Sequence, residues 1–277
     1  MNMDRGKSLS IEERISLIRK NDRNKKNSYR NDVSNIQNWL NRKTTVDSEL
    51  LRKILYINKW EPEEFNYSVD KEFKVRTHVN DSLPLELGSL IEAVDIQDKL
   101  PNTYVNLVRP FIKKLEQNLV IEYKDRLSEK SVESIFDCLA TRLINLGIKV
   151  FVLEMNNIKE NEGLLGETSK ERFTYFIELF NEKDKLLELY QKYPVMTRKM
   201  DVATSYFISF INEFLNNLFN SWNEIKGLFF DSKKDLLVEN FVFEKGDTHE
   251  KGKSVIIIEF NSGKIVYKPR NLYIEKN

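Results

Sequence analysis

Between Val202 and Trp222 the apolar residues Ala203, Tyr206, Phe207, Phe210, Ile211, Phe214, Leu215, Leu218, Phe219 and Trp222 recur three and four positions apart. Asn212, Glu213, Asn216 and Asn217 occupy the opposite side, so this is an amphipathic helix with one wide apolar face. Such an aromatic stripe could line a ligand groove, but its unbroken spacing reads more simply as core. The rhythm then changes. Residues 238–277 carry β-branched and aromatic runs, Phe241-Val242-Phe243, Val255 to Phe260 and Ile265 to Tyr267. Asn261-Ser262-Gly263 supplies hairpin turn chemistry between the last two runs. A switch from the helical period to the strand period confines the chain to an α+β fold, a mainly helical body followed by a few antiparallel strands. Ile256-Ile257-Ile258 is apolar on both faces of its strand and predicts cover from two sides.

Composition removes several functions. Lys and Arg total 44 against 43 Asp and Glu, which gives no overall pull toward nucleic acid or anionic membrane. No local basic patch with interleaved aromatic residues replaces it, so no nucleic-acid partner is expected. Cys138 is the single cysteine, which excludes an intrachain disulfide, and it reads as a buried inert thiol beside an apolar helix face. With only His78 and His249 beside it, no Cys/His zinc site can form within the chain. No apolar run approaches the roughly 18 residues of a transmembrane helix. Met1 to Ser10 contains no apolar core of signal-peptide type, which makes the cytoplasm the expected location.

Four segments follow from pattern. Residues 1–30 are a charged N-terminal segment, with Ile11, Ile15 and Ile18 spacing a short helix capped by Ser10, and Asn21 to Asn31 a solvated linker. Residues 31–84 form an N-terminal helical subdomain: Val33, Ile36, Trp39 and Leu40 repeat at helical spacing, as do Leu50, Leu51, Ile54 and Leu55. Pro62, followed by Glu63 and Glu64, starts a further helix there. His78 lies in the alternating stretch Phe73, Val75, Thr77, Val79 without a ligand partner and reads as structural or exposed. Residues 85–235 are a helical body. One stripe runs through Tyr104, Leu107, Val108, Phe111, Ile112 and Leu115; a second runs through Val132, Ile135, Phe136, Leu139, Leu143 and Ile144, with Gly147 placed to end it. Thr168 and Glu171 have capping-box spacing ahead of Phe173, Phe176, Ile177 and Phe180. Residues 236–277 hold the strands.

The chemistry concentrates near the end of the chain. Gly246-Asp247-Thr248-His249 and Gly252-Lys253-Ser254-Val255 precede the strand Ile256 to Phe260, and the next strand runs Val266-Tyr267-Lys268-Pro269-Arg270. An acid, a histidine, a glycine-containing loop and a strand-end lysine suit a phosphorylated nucleotide, since loop amides and an ammonium together neutralise phosphate oxygens. Taken singly, Asp247 reads as a turn residue or cap, His249 as an exposed loop histidine, and Lys268 as an ordinary strand-end lysine. Neither Gly-x-Gly-x-x-Gly nor a Walker A pattern is present.

Taken in order, these segments resemble the N-terminal part of the dehydratase domain of the class II lanthipeptide synthetases, the LanM family. The resemblance covers roughly residues 85–277 and rests on Phe151-Val152-Leu153-Glu154-Met155, on Leu164-Leu165-Gly166-Glu167-Thr168 with Glu171-Arg172-Phe173, on Tyr193-Pro194-Val195 and, most specifically, on the block from Gly246 to Arg270. It implies a lipid-kinase-like N-lobe beginning at residue 236. It also implies an activity: phosphorylation of Ser and Thr in a precursor peptide with ATP and Mg²⁺, then elimination of phosphate to dehydroamino acids. Lys268 matches the lysine that holds ATP phosphates, and Gly252, Lys253 and Ser254 match the adjoining cofactor-binding loop. Asp247 and His249 match the catalytic pair of the elimination step, where a proton leaves carbon as phosphate departs. Arg270 belongs to the block without a firm role.

The family places its catalytic Asp, its metal-holding Asn and Asp, an Arg and Thr for elimination and a Cys/Cys/His zinc site after this block. The expectation is therefore a truncated or split dehydratase, inactive alone, whose partners are a precursor leader peptide and a missing C-terminal half. Whether the chain by itself is an enzyme stays open. The alternative is a non-catalytic module that binds a leader peptide or partner subunit. An unrelated kinase fragment accounts less well for the Asp247/His249 pair.

Overall fold

The computed structural model describes residues 9–21, 34–42, 46–70, 85–92, 103–230, 235–243 and 252–269. The linker expected up to Asn31 and the stretch around His78 lie outside them. The chain divides into two compact units, residues 1–85 and 86–277.

The first unit contains helices α1 (Ile11–Asn21), α2 (Ser34–Leu40), α3 (Ser48–Asn58) and α4 (Pro62–Ser68). Ser10 caps α1 as expected: its Oγ accepts from the Glu13 amide at 3.2 Å while Glu13 Oε2 accepts from the Ser10 amide at 2.8 Å. Pro62 opens α4, where its missing N–H costs nothing. A small core of Ile15, Leu51, Leu55, Phe65 and Val69 joins these helices, with Trp39 packed edge-on against Phe65. Two arginines of α1 tie it to the α4 region: Arg14 donates to the Ser68 carbonyl at 2.8 Å, and Arg19 pairs with Glu64 at 2.7 Å.

The second unit is larger. After α5 (Leu85–Glu92) and a 3₁₀ turn over Thr103–Val108 come α6 (Arg109–Asn118), α7 (Glu129–Asn161), α8 (Ser169–Leu179), α9 (Lys183–Lys192), α10 (Pro194–Asn220) and α11 (Trp222–Phe229). Strands β1 (Val238–Val242), β2 (Ile256–Phe260) and β3 (Gly263–Tyr267) form an antiparallel sheet in the order β1-β2-β3. A mainly helical body leading into a small antiparallel sheet is the α+β arrangement that the change of period predicts. The Thr168/Glu171 capping box forms, and Asn261-Ser262 makes the two-residue turn of the β2–β3 hairpin.

Gly147 corrects the reading of the second stripe. The glycine does not end a helix; α7 runs through it for 33 residues. The reason is tertiary. A Cβ at Gly147 would lie 2.5 Å from Met200 Cε and 2.7 Å from Phe151 Cζ, so the absent side chain leaves room for the end of Met200 on α10 and for the Phe151 ring. The two helices run antiparallel, with Arg142 against Phe207, Gly147 against Met200 and Glu154 against Tyr193. The aromatic helix also begins earlier than expected. Tyr193 is its N-cap and Pro194 its first residue, and Met196, Thr197 and Met200 continue the buried face toward the N-terminus. It stops at Asn220, so Trp222 belongs to α11. Its aromatic face is core, as the simpler reading had it: Phe207, Phe210, Ile211 and Phe214 are buried.

One face of the sheet packs on this body. Val238, Phe241, Ile256, Ile258 and Phe260 are buried, and Phe214 meets Phe241 and Tyr267 at ring distances of 5.3 and 4.9 Å. Cover from two sides, expected from Ile256-Ile257-Ile258, is not what these residues show. Ile256 and Ile258 point inward; Ile257 is half-buried on the outer face, in register between Val242 and Val266, and Val266 is 56% exposed. The free edge of β1 is closed by the start of α7: the Ser128 amide donates to the Val238 carbonyl at 2.9 Å and the Ser128 hydroxyl to the Glu239 carbonyl at 2.8 Å. Sheet and helical body are thus hydrogen-bonded together as well as packed.

At the other end of the α7–α10 contact, Glu154 is buried and accepts from Lys192 at 2.7 Å, from the Tyr193 hydroxyl at 2.6 Å and from Asn157 at 3.3 Å. Burial pushes its pKa up, but the hydrogen bonds from Lys192, Tyr193 and Asn157 together outweigh burial and hold it below the ordinary value. Tyr193 moves the other way, pushed up to about 12 by burial and then by Glu154.

Two outcomes follow from these contacts. Gly147→Val should lower stability by about 1–3 kcal/mol through overpacking. Gly147→Ala should sit nearer neutral, because a helix-propensity gain of roughly 1 kcal/mol offsets the intrusion on Met200. Thermal unfolding of both variants measures this. Because the Glu154 pKa is lowered on folding, the stability it contributes is complete above the ordinary carboxylate pKa and is lost as pH falls through the folded value. Glu154→Gln should therefore flatten the acid limb of a stability-against-pH curve recorded by denaturant unfolding.

Candidate functional site

Each residue of the proposed nucleotide grip can now be placed by its element. Lys268 follows β3 directly. The β2–β3 ladder pairs Ile256 with Tyr267, and one step further the same register sets Lys268 opposite Val255. The lysine and the loop Gly252-Lys253-Ser254 therefore lie at the same end of the hairpin. Lys268 continues the exposed alternation of Lys264 and Val266, which is the sheet face turned away from the helical body.

Gly252 has φ +84°, a left-handed conformation that side chains other than glycine rarely adopt. Space is not what demands glycine there, since an added Cβ would find only Arg142 Nη1, at 4.0 Å. The two residues after it turn inward. Lys253 Nζ lies 2.7 and 2.9 Å from the carboxylate oxygens of Glu213 on α10. The Ser254 hydroxyl is fully buried and accepts from Arg142 Nη2 at 3.2 Å. Arg142 Nη1 donates to the Gly252 carbonyl, also at 3.2 Å, and its guanidinium lies 5.0 Å over the Phe207 ring. The fold thus brings Gly252 and Lys268 to one end of the hairpin, while the side chains of Lys253 and Ser254 engage the helical body. Asp247, His249 and Arg270 lie outside the described residues.

Magnitudes separate the two anchors. A hydrogen bond from a charged donor to a buried acceptor contributes about 1.5–3 kcal/mol. A part-exposed ion pair such as Lys253–Glu213, whose side chains are 24% and 45% exposed, belongs to the class that contributes about 0.2–1 kcal/mol. Arg142 is therefore the main tie between loop and body, and Glu213 the lesser one.

Neither residue was singled out from sequence. Arg142 carried a faint signal, a charged residue between Leu139 and Leu143 in an apolar stripe. Glu213 carried none, being one of several polar residues on the outer side of α10.

Residues 193–277 match a family described as a domain of unknown function, DUF4135. This span includes α10, the sheet, the loop and Lys268. A lacticin 481/lactococcin biosynthesis protein, LcnDR2, from Lactococcus lactis subsp. lactis is 28% identical over 173 residues. The resemblance to the class II lanthipeptide synthetases is borne out. The match takes in 58% of this chain and 17% of that relative's length. Among the described residues, no helix is long and apolar enough to cross a membrane.

Proposed function

We propose that residues 1–277 carry the beginning of a lanthipeptide dehydratase, the part that grips the phosphates of ATP while a precursor peptide is phosphorylated. The observation that carries this reading is the hairpin register. Continued one step beyond its last pair, Ile256 with Tyr267, it sets the exposed residue Lys268 opposite Val255, beside a loop whose glycine is left-handed. These residues fit a phosphate chain: the loop backbone can approach closely at Gly252, and Lys268 supplies a compact positive charge. ATP brings the phosphoryl group whose later departure makes elimination feasible, and Mg²⁺ belongs with it on acids that the family places after this block. Lys253 and Ser254 belong to the same loop. In this reading Asp247 and His249, just before it, handle the proton and the phosphate in the elimination step, and the substrate is a precursor peptide bearing a leader.

Phosphoryl transfer depends on positioning and on metal-assisted charge neutralisation. Residues 1–277 alone are therefore expected to hold nucleotide without completing dehydration. Titration of the chain with magnesium-ATP should show binding, weakened about tenfold in Lys268→Ala by loss of one charge-assisted contact. Mass spectrometry of a co-incubated lanthipeptide precursor should show no loss of water. Equal affinity in the variant would sink the assignment of Lys268. Water loss would show that the remaining acids are not needed.

A second reading, a module that binds a leader peptide or partner subunit, is favoured by one observation. Val195, Val202 and Tyr206 form a line along α10 and are 45%, 37% and 41% exposed; Leu146 and Leu153 on α7 are 37% and 51% exposed. Apolar residues at this spacing suit the apolar face of an amphipathic helix. Calorimetric titration with a leader peptide should give micromolar binding that Val202→Asp abolishes. Absence of heat at high micromolar peptide would remove this reading.

A further inference from the structure

Gly252, Lys253 and Ser254 connect to the helical body through two residues that no part of the nucleotide reading requires. Arg142 on α7 reaches both ends of the tripeptide, donating to the Gly252 carbonyl and the Ser254 hydroxyl, each at 3.2 Å. Glu213 on α10 takes the residue between them through the Lys253 ammonium at 2.7 Å. Three consecutive loop residues are thus tied to two antiparallel helices. The guanidinium is held in turn by its position over the Phe207 ring. A loop so tied enters β2 along one path.

The side chains used in these ties are committed to the body, whereas Lys268 lies on the outer sheet face. Lys253 and Ser254 are therefore placed to serve an anionic ligand by holding the loop rather than by touching the ligand. We propose that Arg142 and Glu213 are positioning residues: they fix the path of residues 252–254, so that the Gly252 backbone and the Lys268 ammonium are presented together to a phosphate-bearing ligand. The proposal rests on the nucleotide reading for the identity of the ligand, but not for the anchoring itself.

The geometry makes different demands on the two anchors. Arg142 makes a forked contact with a carbonyl and a hydroxyl, which a lysine cannot reproduce. The Glu213–Lys253 pair is a simple charge attraction near the surface, and reversing both signs should preserve it. A merely stabilising role would change the unfolding temperature alone. A positioning role also changes loop protection and ligand affinity, and loop protection should recover when the charges are exchanged.

The test uses the whole 277-residue chain and the variants Arg142→Gln, Glu213→Lys and Glu213→Lys/Lys253→Glu. Hydrogen exchange read by mass spectrometry over residues 252–260 should rise about tenfold in Arg142→Gln, with α7 and α10 unchanged, because local opening is governed by the ties that close it. Magnesium-ATP affinity should fall by a similar factor. Glu213→Lys should produce a smaller change of the same kind in both readouts, and the charge-reversed pair should return loop exchange to the parent value. Unchanged loop exchange in Arg142→Gln, with helical circular dichroism intact, overturns the proposal. Failure of the charge-reversed pair to restore the loop protection that Glu213→Lys lost also overturns it. Should Arg142→Gln not fold, the near-surface Glu213–Lys253 exchange decides by itself. If the parent chain binds no magnesium-ATP while the loop still loosens as described, the anchoring stands and the nucleotide reading fails.

Discussion

The antiparallel packing of α7 against α10 is the contact around which the rest of the larger unit is arranged. With no side chain at 147, Met200 and Phe151 fill the space there. The same packing aligns Glu154 with Tyr193 at one end and Arg142 with Phe207 toward the other. The sheet then packs against what those helices present: Phe214 receives Phe241 and Tyr267, and the start of α7 closes the edge of β1.

The hairpin and its loop use this platform in two ways. Their inner residues, Ile256, Ile258 and Ser254, are buried against the body, so the β2 path is set by packing and by the Arg142 fork. Their outer residues, Val266 and Lys268, are left exposed. A strand that is pinned on one face and open on the other is suited to present a charge in a defined place. In the proposed reading, that division gives the Lys253 and Ser254 side chains a structural task and leaves the ligand-facing task to the Gly252 backbone and Lys268.

Much of this was legible in the sequence, and the legible part was local. The Ser10 cap, the capping box at Thr168, the Asn261-Ser262 turn and the buried stripe from Phe207 to Phe214 follow from near-neighbour geometry and formed as expected. The failures have a common cause. Gly147 looked like a helix end because the local preference of glycine is to stop a helix. Here α7 runs through it, and the space a side chain would take is filled by Met200, more than fifty positions away and outside any window around residue 147. Ile257 looked buried because its neighbours are; its half-exposure is set by which side of the sheet the helices occupy.

What the sequence determined by itself is the order of elements, the change from helical to strand period, and the resemblance to the class II lanthipeptide synthetases. Those features reside in residue type and short spacing, which are complete before folding. Only the tertiary structure decided that Lys253 and Ser254 turn toward the body, that Arg142 and Glu213 meet them, and that Lys268 shares an end of the hairpin with Gly252. Charges and hydrogen bonds between residues about 40 and 110 positions apart have no periodicity to betray them, and they come into being only when two helices and a hairpin pack together.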